Sequence, residues 1–185
     1  MILPIVAYGD PILKKEAAEI SSDYPELDQL IDNMFETMYE AEGVGLAAPQ
    51  IGKSIRLFIV DASPFEEEEK GLKNFKRTFI NPIIVEEEGE EWPFQEGCLS
   101  IPGIREDVYR EPKITVEYYN RKFELVEETF EGLAARIIQH EYDHIEGILF
   151  TDYLSPLKRR LLRAKLNNIS KGNVKVSYRM KFPKS

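Results

Sequence analysis

Cysteine and long apolar runs are both scarce in this chain. Its 185 residues include one cysteine, Cys98, so no disulfide can form within the chain, and we expect a reducing, cytoplasmic location. The first residues, Met1–Val6, carry no basic side chain, and Pro4 interrupts their short apolar run. We therefore expect neither a signal peptide nor a membrane-spanning helix, and no membrane partner.

Acidic residues are absent from the last part of the chain. The net charge is −9, yet no aspartate or glutamate follows Asp152. Every charged residue beyond it is basic: Lys158, Arg159, Arg160, Arg163, Lys165, Lys171, Lys175, Arg179, Lys181 and Lys184. This asymmetry predicts contact of the tail with an anionic surface such as nucleic acid, or pairing of the tail with the acidic body.

Apolar residues at three-and-four spacing predict three helices. They are expected at residues 27–42, at residues 132–144, and from Ser155-Pro156 onward. The first helix should take its cap and first turn from Ser21–Pro25, and Gly147 should end the second.

Short apolar or alternating runs predict strands at residues 55–60, 78–85, 114–119, 123–130 and 174–181. Asn81-Pro82 should bend the second of these strands or place it at an edge, and the third and fourth should form a hairpin. The acidic stretches 66–69 and 86–91 should be a solvated loop and a water-facing turn.

Strands grouped in the middle of the chain, with few helices between them, favour an α+β fold over a doubly wound sheet. We expect one compact domain of mostly antiparallel strands around a central helix that carries both histidines, with another helix in the N-terminal half. Residues 1–155 would form the catalytic domain. Residues 156–185 would form a basic helix and strand that pack on this domain or extend from it.

Both histidines of the chain lie within one five-residue stretch, His140 to His144. On a helix, residues four apart share a face, so both imidazoles can meet one metal ion. Glu141 follows the first histidine and would lie close enough to act on a water at the metal. Core packing is the alternative, but the metal-binding spacing together with the carboxylate favours a catalytic metal site.

A catalytic site of this kind needs a third protein ligand and leaves one position open. In one metalloprotease pattern the third ligand is a histidine, where this chain has Phe150. In the other it is a downstream glutamate, but Glu146 and Asp152 are the only acids there and lie too close. Cys98 is the remaining soft ligand. An upstream aspartate or glutamate is the competing choice.

The segment Gly43–Gln50 contains closely spaced glycines. Nucleotide-binding motifs with similar spacing require a strand before the glycines and a helix after them, whereas here a helix precedes and a strand follows. The glycines could instead let the backbone approach a substrate, with Gln50 offering its amide N–H to a developing oxyanion. A simple turn is the alternative.

Taken together, three segments resemble the peptide deformylase family. They are Gly43–Gln50, Glu96–Ser100 and Gln139–His144, in the family's order, and the resemblance extends from Gly9–Leu13 to about Tyr153. It implies removal of the formyl group from N-formylmethionine at the start of new polypeptides, which yields formate and a free amine. The insertion around residues 66–75 and the tail after Pro156 depart from the family pattern.

The resemblance also implies a role for each matching residue. Cys98, His140 and His144 would hold one divalent metal ion, usually Fe²⁺, although Zn²⁺, Ni²⁺ or Co²⁺ would also suit these ligands. Glu141 would act as the general base and then as the acid. Gln50 and the backbone N–H of Leu99 would stabilise the oxyanion.

Further residues are candidates for contact with the substrate. Val44, Phe94, Leu133 and Ile137 could form an apolar slot for the methionine side chain, or could be ordinary core. Gly43 and Gly45 could exclude acyl groups bulkier than formyl. Candidates near the cysteine are Glu96, Gly97 and Arg105; Glu96, Arg105 and Arg110 could pair to hold the loop, or Arg105 could contact the substrate backbone. Asp143 should support the helix or the ligands.

Two other functions remain open at this point. A zinc endopeptidase would cleave internal peptide bonds, and a structural metal domain would need a fourth protein ligand. The expected partner is an N-formylmethionyl peptide or nascent chain. The basic tail could contact the ribosome, and no DNA partner is expected.

Overall fold

The structure, a computed structural model, describes residues 1–184, which form an α+β fold. The helices are α1 (Leu27–Glu40), α2 (Gly132–Ile145) and α3 (Pro156–Ser170). The strands are β1 (Ile5–Val6), β2 (Gly45–Ala47), β3 (Leu57–Asp61), β4 (Lys76–Glu88), β5 (Trp92–Cys98), β6 (Ile101–Arg110), β7 (Lys113–Tyr119), β8 (Leu125–Glu131) and β9 (Met180–Lys181). Short 3-10 helices occur at Pro11–Lys14, Ala48–Ile51, Ser63–Phe65 and Phe150–Tyr153.

The strands of the described residues form three sheets. The largest has the order β2-β3-β4-β7-β8, and every neighbouring pair in it is antiparallel. Strands β5 and β6 form a separate antiparallel hairpin, while β1 and β9 pair in parallel. The predicted α+β class with mostly antiparallel strands is confirmed.

Helix α2 lies at the centre of the molecule. From Leu133 to Ile145 every residue except Tyr142 is buried, and the helix contacts four strands of the largest sheet. Its apolar side, which includes Ile138, joins Phe58 and Phe79 in one core cluster. Because it is held on several sides, this helix is a rigid support for the side chains it carries.

Much of the predicted secondary structure is confirmed. The three helices lie where the spacing placed them, β7 and β8 form the predicted hairpin, and the β4–β7 register shifts between Ile80 and Ile83, where the bend was expected. Ser155 caps α3 by accepting a hydrogen bond from the Lys158 N–H. Within residues 1–184, no helix has the length and apolar content needed to cross a bilayer.

Three local predictions were wrong. Residues Glu86–Glu88 belong to β4 rather than to a turn, because they pair with β7, where Lys113 approaches Glu88 to 3.5 Å. Helix α1 has no side-chain cap from Ser21–Pro25; it is preceded by Glu26, with φ 55°. In the acidic insertion, Glu69 is not simply solvated, since its carboxylate accepts a hydrogen bond from the Leu133 N–H.

The C-terminal tail folds back onto the body. Leucines of α3 join Ile104 and Val108 of β6 in a core cluster, and Met180 pairs with Ile5. Residues 174–181 alternate between half-buried and exposed, as predicted, but only Met180–Lys181 forms a strand. The division of the chain at residue 155 stays a prediction.

Candidate active site

The three predicted metal ligands converge at one point. His140 and His144 lie one turn apart on α2, and Cys98 is the last residue of β5. The Cys98 Sγ lies 3.4 Å from the His144 Nε2, and the ligand atoms of all three residues lie within 4.8 Å of one another. Cys98, which lies 42 positions before His140 in the sequence, thus joins the two imidazoles in a single cluster.

A buried carboxylate orients the first histidine. The His140 Nδ1 lies 2.9 Å from the Glu96 Oε1, and donation from Nδ1 to this carboxylate places Nε2 on the side of the ring that faces away from Glu96. Arg110 donates to both Glu96 oxygens at 2.7 and 3.0 Å, and Arg136 adds a bond of 2.8 Å. Because this carboxylate faces two guanidinium groups and an imidazole, its charge is compensated inside the protein.

The electrostatic environment shifts the pKa values of these groups in different directions. Burial by itself would raise the pKa of Glu96, but hydrogen bonds from His140 and Arg110 outweigh it and hold that pKa well below its usual range. Burial and the nearby His140 lower the pKa of His144, which favours the neutral imidazole that a metal requires. Burial raises the pKa of Glu141 to about 7.

Glu141 is pressed against the glycine segment. Its Oε1 lies 4.0 Å from the His140 Nε2, and its Oε2 is buried without a hydrogen-bond partner among the described residues. A Cβ on Gly45 would lie 2.8 Å from the Glu141 Cγ and Oε1. Glycine at position 45 therefore makes room for this carboxylate beside the ligand cluster.

Gln50 reaches the cysteine from the opposite side. Its Oε1 accepts from the Ala47 N–H at 3.0 Å, which fixes the amide orientation. Its Nε2 then donates to the Ser100 Oγ at 3.1 Å and lies 3.5 Å from the Cys98 Sγ. Leu99 lies in the two-residue turn between β5 and β6, where the first central N–H takes no part in the turn's own hydrogen bond.

A cavity of about 650 Å³ opens onto the cluster. Its walls include every residue proposed from the sequence as catalytic or substrate-contacting: Gly43, Val44, Gly45, Gln50, Phe94, Glu96, Gly97, Leu99, Arg105, Leu133, Ile137 and Glu141. Cys98 and His140 also face it, whereas His144 lies behind them and is almost fully buried.

The donor set fits a divalent transition metal. A thiol and two imidazoles are soft and borderline ligands, and one ring nitrogen of each histidine lies within 4.8 Å of the sulfur. The cavity leaves an open side for a water or substrate atom, next to the unpartnered Glu141 oxygen.

Comparisons with known proteins agree with this geometry. The family profile of polypeptide deformylase matches residues 2–160. A peptide deformylase of Christiangramia forsetii is 60% identical over 190 aligned positions, which cover 99% of this chain and 97% of that protein. The chain belongs to the polypeptide deformylase family.

Solved deformylase structures share the fold. The peptide deformylase of Legionella pneumophila is 43% identical, covers 94% of this chain and 98% of its own, and has a TM-score of 0.81. That of Thermotoga maritima is 42% identical, covers 84% and 99% respectively, and has a TM-score of 0.76. The resemblance to deformylases drawn from the three motifs is confirmed.

One predicted pairing in this deformylase was wrong, and one supporting contact was right. Arg105 does not pair with Glu96; it bonds the backbone oxygen and side chain of Gln95 at 3.3 and 3.4 Å at the rim of the cavity. Asp143 does support the site, since it accepts from Arg110 at 2.9 Å and from the Tyr153 hydroxyl at 2.8 Å.

Several residues that build the deformylase site were missed by the sequence analysis. Arg136 lies four residues before His140 on α2, a helical spacing that could have linked it to the same carboxylate. Phe65, from the insertion, and Lys175–Tyr178, from the tail, also line the cavity. No sequence signal identified these, because their positions depend on how distant segments fold back.

Proposed function

We propose that this chain is a metal-dependent peptide deformylase, which hydrolyses the formyl group of N-formylmethionyl polypeptides to formate and a free amino terminus. The observation that carries the proposal is the convergence of Cys98, His140 and His144 beside the unpartnered carboxylate oxygen of Glu141. We place this activity in the cytoplasm, where nascent bacterial chains are made and where a single free cysteine stays reduced.

Cys98, His140 and His144 would hold the ion, with Fe²⁺ as the proposed native metal and Zn²⁺, Ni²⁺ or Co²⁺ as substitutes. When bound, such an ion supplies Lewis acidity and lowers the pKa of its water towards about 7. Glu96 holds the His140 ring through Nδ1, in an orientation in which Nε2 would be available to the ion.

Glu141 would move the proton. As the water oxygen adds to the formyl carbon, this carboxylate accepts the water's proton, and it then delivers a proton to the amine nitrogen as the C–N bond breaks. Burial raises the pKa of this carboxyl above its usual range, which favours the return of the proton to the amine. The Gln50 side-chain amide and the Leu99 N–H would donate to the oxyanion that forms in between.

The methionine side chain would enter an apolar slot formed by Val44, Phe94, Leu133 and Ile137. All four line the cavity, and Phe94 also packs on Trp92 with ring centroids 5.4 Å apart. Leu133 and Ile137 belong to the core as well, so Val44 and Phe94 are the better test. Substituting either should alter the preference for formyl-Met over other formylated residues. An unchanged preference would mean that these residues do not form the methionine slot.

The experiment that tests the activity is an anaerobic assay of metal-reconstituted protein on a formyl-Met peptide, with formate and primary amine measured together. Equal release of both is expected. An acetyl-Met peptide serves as the matched control, since the backbone at Gly43 and Gly45 would approach the acyl group closely enough to exclude one bulkier than formyl. Cleavage of casein without deformylation would favour the endopeptidase alternative instead.

We propose the ribosome as a second partner, through an α3 face defined by Leu157, Arg159, Arg160, Leu161 and Arg163. All five side chains are exposed, with Leu157 and Leu161 at 63% and 69%. Among the described residues, none of these arginines forms an ion pair, although Lys158 pairs with Glu106. Free cations on one helix suit contact with RNA phosphates.

A further inference from the structure

The C-terminal tail supplies part of the cavity wall. Lys175–Tyr178 line the cavity, as the glycine segment also does. The segment is held in place just beyond them, where β9 pairs with β1. There the Ile5 N–H donates to the Arg179 oxygen and the Ala7 N–H donates to the Lys181 oxygen, both at 2.9 Å.

One tail side chain reaches the turn that carries Leu99. The Tyr178 hydroxyl donates to the Leu99 carbonyl oxygen at 2.7 Å. The tyrosine is half-buried, and its ring packs against the cluster that contains Met38 and Leu46. The hydroxyl is therefore presented by a fixed ring rather than by a mobile surface side chain.

The rest of this turn is held by two other contacts. The Ser100 oxygen accepts from the Tyr8 N–H at 2.9 Å, and the Ser100 Oγ accepts from the Gln50 side chain at 3.1 Å. Both act on Ser100, the second central residue of the turn. The bond from Tyr178 acts on Leu99, the first, and limits rotation of its backbone.

We propose that Tyr178 is a positioning residue for deformylation. By holding the Leu99 carbonyl it fixes the Leu99–Ser100 peptide plane and the shape of the turn, and so keeps the adjoining Cys98–Leu99 plane, which carries the Leu99 N–H, in place for the oxyanion. The inference rests on the proposed function, in which Leu99 is an oxyanion donor. It gives the tail a role in the reaction that is separate from any contact with RNA. Donors of this kind act by being in place before charge develops, so a loosened N–H costs rate more than binding.

The test is Tyr178→Phe in the full-length, metal-reconstituted protein, which keeps the ring and removes the hydroxyl. We expect kcat on a formyl-Met peptide to fall about 3- to 30-fold, less than the roughly 10²–10³-fold typical when a donor is removed outright. KM, affinity for the deformylated product peptide, metal content and Tm should change little. Tyr109→Phe, at a tyrosine that is 60% exposed and outside the cavity walls, is the matched control.

Three outcomes would overturn the inference. The first is a kcat equal to that of the parent. The second is a loss of activity that follows lost metal or a lowered Tm, which indicates a structural role only. The third is a rise in KM with kcat unchanged, which indicates substrate binding. If instead the parent protein releases no formate, the proposed function is wrong, and the inference that rests on it is wrong as well.

Discussion

Glu141 is the residue whose charge state matters most to the proposed reaction. Glu141→Gln keeps the shape beside Gly45 but cannot accept a proton, so we expect metal content to be retained and kcat to fall by about 10²–10⁴-fold. Formate release at saturating formyl-Met peptide measures it. Glu127→Gln, at an exposed position on β8, is the control. Near-normal turnover in Glu141→Gln would exclude this carboxylate from the mechanism.

Cys98 is the ligand with the least local support, since nothing around it in the sequence requires a metal. Cys98→Ala removes the only sulfur ligand, so we expect weaker metal binding and a smaller rise in Tm when metal is added. Metal stoichiometry after anaerobic reconstitution, and Tm with and without chelator, are the measurements. If the variant binds metal as tightly as the parent, a carboxylate is the true third ligand.

The sequence predicted which kinds of residue surround the ligands better than it predicted which of them pair with one another. Glu96 was expected near the cysteine with an arginine partner, and Arg110 fills that role. The partnership with His140 and Arg136 was not foreseen, because it joins β5 to α2 across 40 or more residues. The sequence shows that Glu96, His140 and Arg136 are present, but not that they lie close together in the folded chain.

At the scale of elements, the start of α2 is held by a residue from the acidic insertion. Both Glu69 oxygens lie 3.1 Å from the Leu133 N–H, while Glu131 at the helix start provides no side-chain cap. A carboxylate at this end also interacts favourably with the helix dipole. The insertion is therefore tied to the helix that carries both histidines.

Glu69→Ala should lower the free energy of unfolding by about 1 kcal/mol, as the loss of a capping side chain typically does. Chemical denaturation of the metal-loaded protein measures it. Glu68→Ala is the matched control, because Glu68 is adjacent, exposed and without a side-chain hydrogen bond among the described residues. Equal stabilities of the two variants would contradict the capping role.

The strands differ in how strongly their sequence marks them. The β7–β8 hairpin has regular alternation and was predicted, whereas the β5–β6 hairpin was missed. The latter contains Pro93, Gly97, Pro102 and Gly103, residues that weaken any strand pattern. Its pairing depends instead on packing against the tail and on the buried charges at Glu96 and Arg110.

At the scale of the whole molecule, the basic tail has one side that packs on the body and one side that is exposed. Its inner side packs on β6 and lines part of the cavity, while Arg159, Arg160 and Arg163 of α3 are exposed. Pairing of the tail with the acidic body is limited among the described residues, with Lys158 and Glu106 as one such contact. Most basic side chains of the tail therefore form no ion pair among the described residues.

Replacing Arg159, Arg160 and Arg163 together by glutamate should weaken ribosome binding. Co-sedimentation over a salt series should show a shallower dependence, by about 0.7–0.9 in logarithmic slope for each RNA phosphate that the variant no longer neutralises. Turnover of a free formyl-Met peptide should be unchanged. The control is a second triple variant with the same change in net charge at other surface positions, in which glutamate replaces Lys53, Lys70 and Lys122. If both triple variants bind ribosomes alike, the α3 face has no specific role.

The sequence by itself determined which chemical groups are available: two imidazoles and a carboxylate at helical spacing, a single cysteine as a candidate third ligand beside competing carboxylates, and the glycine segment. These follow from residue type and local periodicity, which short-range sterics and hydrogen bonding control. Only the tertiary structure decided that the sulfur meets the imidazoles, that Glu96 holds His140, and that Tyr178 reaches Leu99. Such contacts join distant segments, so they depend on strand register and core packing as a whole.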